Sequence, residues 1–311
     1  MKKLLAVILA LMLTLGACAE TINVAALNGP TGMGLVKLMK AEEGGDAYTF
    51  TLAASADLVT PKLIKGELDI ACVPANLASV LYNNTSGALE VLAINTLGVL
   101  YIVESGDTVN TIEDLKGRTI YASGKGSTPE YALDWLLTMH GIDPDKDVNI
   151  VFKSEHAECL TMLLSEEDAV ALLPQPFVTV AQTKSDKIRI AIDLNSEWDA
   201  LETGSGLITG VVVARKAFVQ DNSEAVNAFL EAYARSVEYV NTEITAAAAL
   251  IGEYGIVAEA VAQCAIPYCN IVCITGEEMR TKLGGYLEVL YNQNPASVGG
   301  KLPEEDFYFV N

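Results

Sequence analysis

The sequence predicts an α/β protein built from two lobes. Strand-length apolar runs alternate with amphipathic helical stretches through residues 22–97, and the same alternation starts again near residue 117. An extended apolar stretch at 96–106 and a strand at 207–214 lie where the pattern of one lobe ends. These two stretches are the predicted crossings between the lobes, and two crossings make a hinge.

In the first lobe, each predicted strand leads through a polar turn into a helix. The run INVAAL precedes the turn NGPTGMG and the helical stretch LVKLMKAEE. YTFTLAA then leads through Ser55 into DLVTPKLIKG, ELDIACV leads through Asn76 into LASVLYNN, and LEVLAIN breaks at Thr96. This alternation is typical of a parallel sheet with helices on its faces.

The second lobe repeats the pattern independently. GRTIYAS is the first predicted strand, and Thr128 and Pro129 are typical of the N-cap and first residue of the helix that follows. VNIVFKS, DAVALLP and IRIAIDL are further predicted strands, with a helix near 156–164. After residue 217 the pattern is mostly helical.

Composition excludes one class of partner. Of 311 residues, 40 are acidic and 20 are basic, giving a formal net charge of -20. This charge repels nucleic acid phosphates, so we expect no nucleic acid partner. It also provides no attraction to an anionic membrane, so any attachment there must be covalent or inserted.

The N-terminus predicts such an attachment. Lys2 and Lys3 precede an apolar stretch that ends at Leu15, which suits a secretory signal and is too short to span a bilayer. It closes in LGAC, which resembles a bacterial lipoprotein box in which Cys18 is lipidated. Residues 1–17 are then a signal peptide, and the protein is exported and lipid-anchored to the cell membrane. The alternative is an ordinary signal peptide cleaved near Ala19.

The other cysteines give no clear pairing. Cys72 and Cys159 lie in apolar or helical surroundings and are expected to be buried thiols. For Cys264, Cys269 and Cys273, free thiols and a disulfide both remain open in an exported protein. Their spacing, with no histidine after position 156, does not match a zinc pattern. We expect neither a metal nor a cofactor.

Several segments carry a family resemblance. GELDIA, DLKGRTI, INVAALNGPTGMG and the lipoprotein-like start resemble the solute-binding proteins of ABC importers, in the nitrate, sulfonate, taurine and thiamine-precursor group. The resemblance covers nearly all of the chain after the signal. It implies the type II periplasmic-binding fold, in which the second lobe is inserted in the first. The expected boundaries are 18–102 and 209–311 for the first lobe and 103–208 for the second.

The turn SGKGSTPEYAL, residues 123–133, looks at first sight like a phosphate-binding loop, so its spacing decides whether a nucleotide is a candidate ligand. A P-loop needs a glycine five residues before its Gly-Lys pair and Ser or Thr after the lysine, but here Thr119 and Gly126 occupy those positions. What remains is a helix N-terminus with free amides, which favours an anion or an electron-rich ring edge. The candidate ligand-binding residues here are Ser123, Gly126, Ser127 and Thr128, and Lys125 is either an added charge or a solvated lysine.

Other candidates follow the strands, where open α/β sheets bind ligands. Taken singly, each of these residues is equally well explained as an ordinary turn, cap or core residue. The candidates are Asn28, Thr31, Gly32, Ser55, Asn76 and Thr96 in the first lobe and Glu155 and Gln175 in the second, with Met33, Tyr101 and Trp198 as apolar walls.

Catalysis has weak support in the sequence. His140 and His156 are the only histidines, and neither lies in a motif for a nucleophile or a metal. The resemblance implies a monomer that captures a small organic or oxyanion solute and delivers it to an ABC permease, without a cofactor. The alternatives are an enzyme of the menaquinone-pathway or thiamine-pyrimidine-synthase type on the same fold, which the export signal argues against, or a lipoprotein ligand sensor.

Overall fold

The computed structural model describes residues 21–310. The strands in that range alternate with helices through both predicted lobes, as the apolar runs indicate. The strands are β1 (Ile22–Leu27), β2 (Tyr48–Ala53), β3 (Ile70–Pro74), β4 (Leu89–Leu97), β5 (Leu100–Ser105), β6 (Thr119–Ser123), β7 (Asn149–Lys153), β8 (Val170–Pro174), β9 (Ile188–Asp193), β10 (Ile208–Arg215) and β11 (Ile271–Ile274).

Helices cover the sheets and form most of the chain after residue 216. The helices are α1 (Pro30–Met33), α2 (Val36–Ala41), α3 (Thr60–Lys65), α4 (Ala75–Asn84), α5 (Thr128–Met139), α6 (His156–Ser165), α7 (Phe177–Lys184), α8 (Leu194–Ala200), α9 (Lys216–Asp221), α10 (Ser223–Thr242), α11 (Ile244–Glu253), α12 (Glu259–Ala265) and α13 (Gly276–Gln293).

The strands of residues 21–310 form two sheets, one in each lobe. The first has the order β11-β4-β10-β3-β1-β2, and the second has the order β7-β6-β8-β5-β9. The second sheet uses only strands between those of the first, so the predicted two-lobed α/β fold with an inserted second lobe is confirmed.

Both sheets are mixed, whereas the alternation of strands and helices predicted parallel ones. β5 runs antiparallel to β8, and β10 runs antiparallel to β3. The reason is the crossing. β4 is followed directly by β5 and β9 leads through α8 to β10, so the chain leaves each sheet at the end where a parallel strand finishes. The next strand, β5 or β10, therefore enters the other sheet at the carboxyl end of its parallel strands and runs antiparallel to them.

The two crossings touch at Gly98. The Gly98 amide donates to Asn195 Oδ1 at 3.1 Å, and Gly98 O accepts a hydrogen bond from Asn270 Nδ2 at 2.5 Å. An ideal Cβ at Gly98 would lie 2.8 Å from Leu207 Cδ2, so a side chain there would push the crossings apart. The two crossings are therefore packed tightly against each other at Gly98.

An aromatic cluster joins the lobes beside the hinge. Trp198 is fully buried, with its ring centre 6.0 Å from that of Trp135 and 5.8 Å from that of Tyr286. Its Nε1 donates to Ser205 Oγ at 3.0 Å, so the indole N–H is satisfied. Trp135 and Trp198 belong to the inserted lobe and the second crossing, and Tyr286 belongs to α13 of the first lobe. The apolar core is therefore continuous between the lobes.

The cysteines between residues 21 and 310 carry free thiols. Cys72 and Cys159 are buried, as predicted, while Cys264 is exposed and Cys269 is buried. The predicted signal peptide and Cys18 lie outside the described residues. In the described part of the chain, we find no helix that is both long enough and apolar enough to cross a bilayer.

Candidate functional site

A cleft of about 710 Å³ lies between the two lobes. It opens where β3, β6, β7 and β8 end, which is the edge at which open α/β sheets bind ligands. From the first lobe and the crossing it is lined by Pro74, Asn76, Leu77, Val99 and Thr209. From the inserted lobe it is lined by Leu100, Ser123, Gly124, Ser127, Thr128, Pro129, Ser154, Glu155, His156, Ala157, Pro174 and Phe177.

Helix starts from both lobes face this cleft. α4 of the first lobe begins at Ala75, and α5, α6 and α7 of the second begin at Thr128, His156 and Phe177. Each helix follows a strand directly or after a short turn, so it begins at the edge of the sheet where that strand ends. The first backbone N–H groups of a helix have no partner within it and can donate to a ligand.

The 123–128 turn is tied to itself by short hydrogen bonds. Ser127 Oγ donates to Gly124 O at 2.5 Å, and the Gly126 amide donates to Glu130 Oε2 at 2.5 Å. Gly124 has φ 79°, and an ideal Cβ there would lie 2.8 Å from Ser127 Oγ. Lys125 is exposed, with Nζ 5.5 Å from the centre of the Phe152 ring, and is not part of the described lining.

His156 is the aromatic polar group of the cleft. Its Nδ1 lies 2.5 Å from Ser123 Oγ, and its ring centre lies 5.2 Å from that of Phe177. Burial lowers the pKa of His156, which favours the neutral imidazole. Burial raises the pKa of Cys159, and a hydrogen bond with Ser123 opposes that rise. Ser123 therefore contacts both groups and fixes the orientation of the imidazole.

Ser123 and His156 form a hydrogen-bonded pair at the wall of the cleft. Ser123 lines the cleft but is only 2% exposed. With Nδ1 turned to Ser123, the other ring nitrogen has no hydrogen-bond partner among residues 21–310. A neutral imidazole held in this way presents one polar atom beside an aromatic wall.

Direct contacts between the lobes border the cleft. Thr128 Oγ1 lies 3.1 Å from Tyr286 Oη, although Thr128 was predicted to bind the ligand with its hydroxyl. One turn further along α5, Tyr131 accepts from Gln293 Nε2 through its backbone O at 3.2 Å and from Asn294 Nδ2 through Oη at 3.1 Å. α5 of the inserted lobe is thus bonded to the end of α13 in the first.

The structure places five predicted site residues in the cleft lining: Asn76, Ser123, Ser127, Thr128 and Glu155. Gly126 belongs to the same turn, but it is exposed and outside the lining. Asn28 and Ser55 are exposed at the ends of β1 and β2. They do not line the cleft, because β1 and β2 are at one side of the first sheet, beyond β3.

The candidates Asn28, Thr31, Gly32 and Met33 of the first lobe do not line the cleft, whereas Asn76 does. No residue of 28–34 is in the described lining, and the 123–128 turn instead faces the start of α4. Thr31 lies next to Gly210 of β10. An ideal Cβ at Gly210, the neighbour of the lining residue Thr209, would lie 2.6 Å from Thr31 Cγ2.

Three further predictions fall in the interior of the first lobe. Met33 is fully buried in the helix-packed core, so it forms no wall of the cleft. An ideal Cβ at Gly32 would lie 2.6 Å from Leu27 O, so this glycine allows helix and strand to touch rather than a ligand to approach. Thr96 is 1% exposed and its hydroxyl donates to Asn95 Oδ1 at 3.1 Å.

Gln175, Tyr101 and Trp198 are also interior residues. Gln175 is 2% exposed, and its Oε1 accepts from Thr179 Oγ1 at 2.9 Å. Tyr101 Oη donates to Tyr268 O at 2.8 Å, and Trp198 lies in the aromatic cluster between the lobes. The polar atoms of Tyr101 and Trp198 thus donate to other protein atoms and not to a ligand. The sequence pattern does not reveal these contacts.

Most of the apolar lining cannot be recognised from the sequence. Leu77, Val99 and Phe177 look like ordinary core positions in sequence, and only the sheet order brings them to one edge. His156 could be recognised from the sequence, because it begins a helix directly after a strand, in the turn that contains Glu155. The residue lies in no motif for a nucleophile or a metal, so the sequence alone assigns it no role in the site.

Solved structures resemble this fold over nearly its whole length. An ABC transporter protein from Parabacteroides distasonis has 24% identity, with 93% of this chain and 99% of that chain covered and a TM-score of 0.79. The periplasmic aliphatic sulphonate binding protein SsuA from Escherichia coli has 14% identity, 92% coverage of both chains and a TM-score of 0.73. The alkanesulfonate-binding protein SsuA from Xanthomonas axonopodis pv. citri, bound to MOPS, has 14% identity, coverage of 92% and 95%, and a TM-score of 0.66.

Sequence comparison gives the family. No protein with a curated function matches this chain. Residues 87–243, just over half of the chain, match the family described as NMT1/THI5 like. The matched segment runs from β4 through the whole inserted lobe to α10, so it contains most of the cleft. The chain therefore has the two-lobed fold of periplasmic binding proteins and belongs to the NMT1/THI5-like family.

Proposed function

We propose that this protein is the extracytoplasmic solute-binding component of an ABC importer. It captures a small organic or oxyanion solute by closing its two lobes and delivers the closed form to a membrane permease. It acts as a monomer and needs no cofactor.

The cleft between the lobes is the observation that carries this proposal. Helix starts and polar side chains from both lobes face one cavity, and the crossings on which the lobes turn meet at Gly98. A solute that contacts both walls gains interactions only when the lobes are together. Its binding free energy then shifts the population toward the closed state.

We assign no catalytic role to the cleft. The only described imidazole that lines it, His156, contacts the hydroxyl of Ser123, which is almost fully buried. An apolar cavity with a small number of placed polar groups is what capture and release of a solute require.

Solute capture is tested by a thermal-shift screen of the purified protein against small organic and oxyanion solutes. A solute present at a hundred times its dissociation constant adds about 2.7 kcal/mol to the free energy of unfolding, which raises the melting temperature by several degrees. If no solute changes the melting temperature and a turnover assay detects a product, the protein is an enzyme and the proposal is wrong.

A matched pair of variants shows whether the solute binds in the cleft. Ala157 lines the cleft and is exposed, so Ala157→Trp fills the cavity without disturbing the core. We expect this variant to lose the stabilisation by solute. Ala246 is also exposed but lies on α11, outside the lining, so Ala246→Trp should keep it.

We also propose that the protein is held at the outer face of the cell membrane through a lipid on Cys18. Cys18→Ala should move the exported protein from the membrane fraction to the soluble fraction, because a covalent acyl anchor is lost. The control is Cys264→Ala, which removes an exposed thiol on α12 and should leave the protein with the membrane.

A further inference from the structure

The proposed lipid on Cys18 is very close in sequence to the first strand. Only Ala19 and Glu20 separate Cys18 from Thr21, and Thr21 directly precedes β1. One residue of extended chain spans at most about 3.6 Å, so the step from Cys18 to Thr21 covers at most about 11 Å. A lipid inserted in the bilayer would therefore hold the start of β1 close to the headgroups.

Thr21 lies at the edge of the first sheet that is opposite the cleft. A second cavity, of about 450 Å³, opens at this edge. It is lined by Thr21, by the starts of β1 and β2, by Asp69 before β3 and by Arg215 at the end of antiparallel β10. The cleft lies where β3 ends, so the length of a strand, roughly 17–20 Å for five or six residues, separates it from this edge.

Exposed side chains next to Thr21 suit a lipid headgroup surface. We call this surface the tether corner; it consists of Thr21, Ala47, Ile64, Lys65 and Arg215. Thr21, Ala47 and Arg215 line the second cavity, and Ile64 and Arg215 line a neighbouring cavity of about 420 Å³. Ile64 is 52% exposed, and Lys65, which follows it at the end of α3, is also exposed. An apolar side chain beside a lysine suits a bilayer surface, because the lysine keeps its ammonium group among the headgroups.

Charge alone would not bring the tether corner to a membrane. Arg215 Nη2 pairs with Asp69 Oδ1 at 2.5 Å, and the acidic residues Glu67 and Asp221 are exposed at the same edge. The corner therefore has no excess of positive charge with which to attract anionic lipid. A covalent tether supplies what charge does not, because it keeps the local concentration of lipid high enough for a weak contact to form.

We propose that the tether corner rests on the phospholipid headgroups of the bilayer that holds the lipid of Cys18. This inference rests on the proposed lipid anchor and extends it, because an anchor alone does not determine which face of the protein meets the membrane. The cleft is then held at the opposite edge of the first sheet, one strand length further from the tether, where solute enters from the water.

Fluorescence quenching in vesicles measures which edge of the sheet meets the bilayer. Ala47 and Ala54 are exposed and directly flank β2, with Ala47 at the tether corner and Ala54 at the opposite edge. We would label Ala47→Cys and Ala54→Cys with a small fluorophore in a Cys264→Ser background, which removes an exposed thiol. The lipidated proteins, purified from membranes, are reconstituted into phosphatidylcholine vesicles that carry a nitroxide on a fraction of their headgroups. Peptide mass spectrometry identifies the labelled cysteine.

We expect the lipid nitroxide to quench the label at residue 47 several-fold more than the label at residue 54. A water-soluble nitroxide, which reaches both exposed positions, gives the reference for each label. The control for the tether is an insertion of about 20 Gly and Ser residues between Glu20 and Thr21, which has a root-mean-square span of about 25 Å. With this linker the domain turns freely above the bilayer, so both labels should be quenched weakly and equally.

Equal quenching of the two labels in the vesicle-bound protein with its natural tether, or stronger quenching at residue 54, would overturn the inference and leave the anchor in place. If Cys18 carries no acyl group and the protein stays off the vesicles, the anchor proposal is wrong and this inference is wrong with it. If Ala47→Cys fails to fold, Lys65→Cys places the label at the same corner. Solute capture is tested separately, so none of these results changes it.

Discussion

Thr128 of the inserted lobe and Tyr286 of the first lobe meet hydroxyl to hydroxyl at 3.1 Å. Tyr286 is fully buried, so its hydroxyl has no water to replace this partner when the lobes are together. Burial raises the pKa of Tyr286, which keeps the phenol protonated. The pair therefore stabilises the arrangement in which the lobes touch, and it does so at the wall of the cleft.

Removing this contact should weaken solute binding. Thr128→Val and Tyr286→Phe each delete one hydroxyl, and the lost hydrogen bond is worth about 1 kcal/mol, or about fivefold in affinity. Because the two hydroxyls are partners, the double variant should lose little more than either single variant. Titration calorimetry with a solute from the screen measures the affinities of the wild type, the two single variants and the double variant. Fully additive losses would show that the two hydroxyls act independently.

Tryptophan fluorescence should report lobe closure. The chain has 2 tryptophans, and Trp198 lies 5.8 Å, centre to centre, from the ring of Tyr286 across the lobe contact. Opening would separate α13 from Trp198 and expose the indole to water. We expect solute to change the emission of the protein, and Trp198→Phe to abolish the change. An unaltered response in Trp198→Phe would place the movement elsewhere.

Gly210→Ala should destabilise the first sheet next to the cleft, where Gly210 follows the lining residue Thr209. An ideal Cβ there would lie 2.6 Å from Thr31 Cγ2 and would also clash with Asn95 Oδ1. Overpacking of this kind costs about 1–3 kcal/mol, which lowers the melting temperature by several degrees. Gly206→Ala is the control, because the nearest atom that its Cβ would meet is Ile208 Cγ1 at 4.0 Å. Equal melting temperatures for the two variants would contradict the packing argument.

Asp134 should make stability depend on pH. Burial, helped by Glu130 and Asp145, raises the pKa of Asp134 from 3.8 to about 6. The folded state thus holds this proton more tightly than the unfolded state. The contribution to stability is present below about pH 4 and is lost as the pH rises to about 6.

Asp134→Asn should therefore stabilise the protein at pH 7, by about 1–2 kcal/mol after allowing for partial exposure, and should not stabilise it near pH 4. Melting temperatures of variant and wild type between pH 4 and 8 measure the difference. Asp57→Asn, at an exposed position, removes the same charge as a control. A gain that is constant with pH would contradict the assignment.

The sequence predicted the fold because both lobes repeat a strong local signal. Strand-length apolar runs such as INVAAL and LITGVVVA are buried strands in the structure, and the second lobe is inserted as the resemblance implied. The direction of β5 and β10 was not predicted, because it depends on where the chain crosses between lobes. A crossing is a tertiary feature with no residue pattern of its own.

The sequence predicted only the part of the cleft that has a local signal. The 123–128 turn was identified because glycines, hydroxyls and a helix start are adjacent in sequence. The first-lobe candidates include both the 28–34 turn and Asn76 at the start of α4, and only Asn76 lines the cleft, because nothing local reveals that β3 is nearer to the middle of the sheet than β1. Met33, Thr96 and Gln175 have polar or flexible side chains that suit a ligand, but each is buried among protein atoms.

Closure of the lobes over a solute is tested most directly by small-angle X-ray scattering of the purified protein with and without a solute that raises its melting temperature. We predict that the radius of gyration falls when the solute is added, and that it falls less in Tyr286→Phe. An unchanged radius of gyration in the solute-saturated protein would contradict capture by lobe closure.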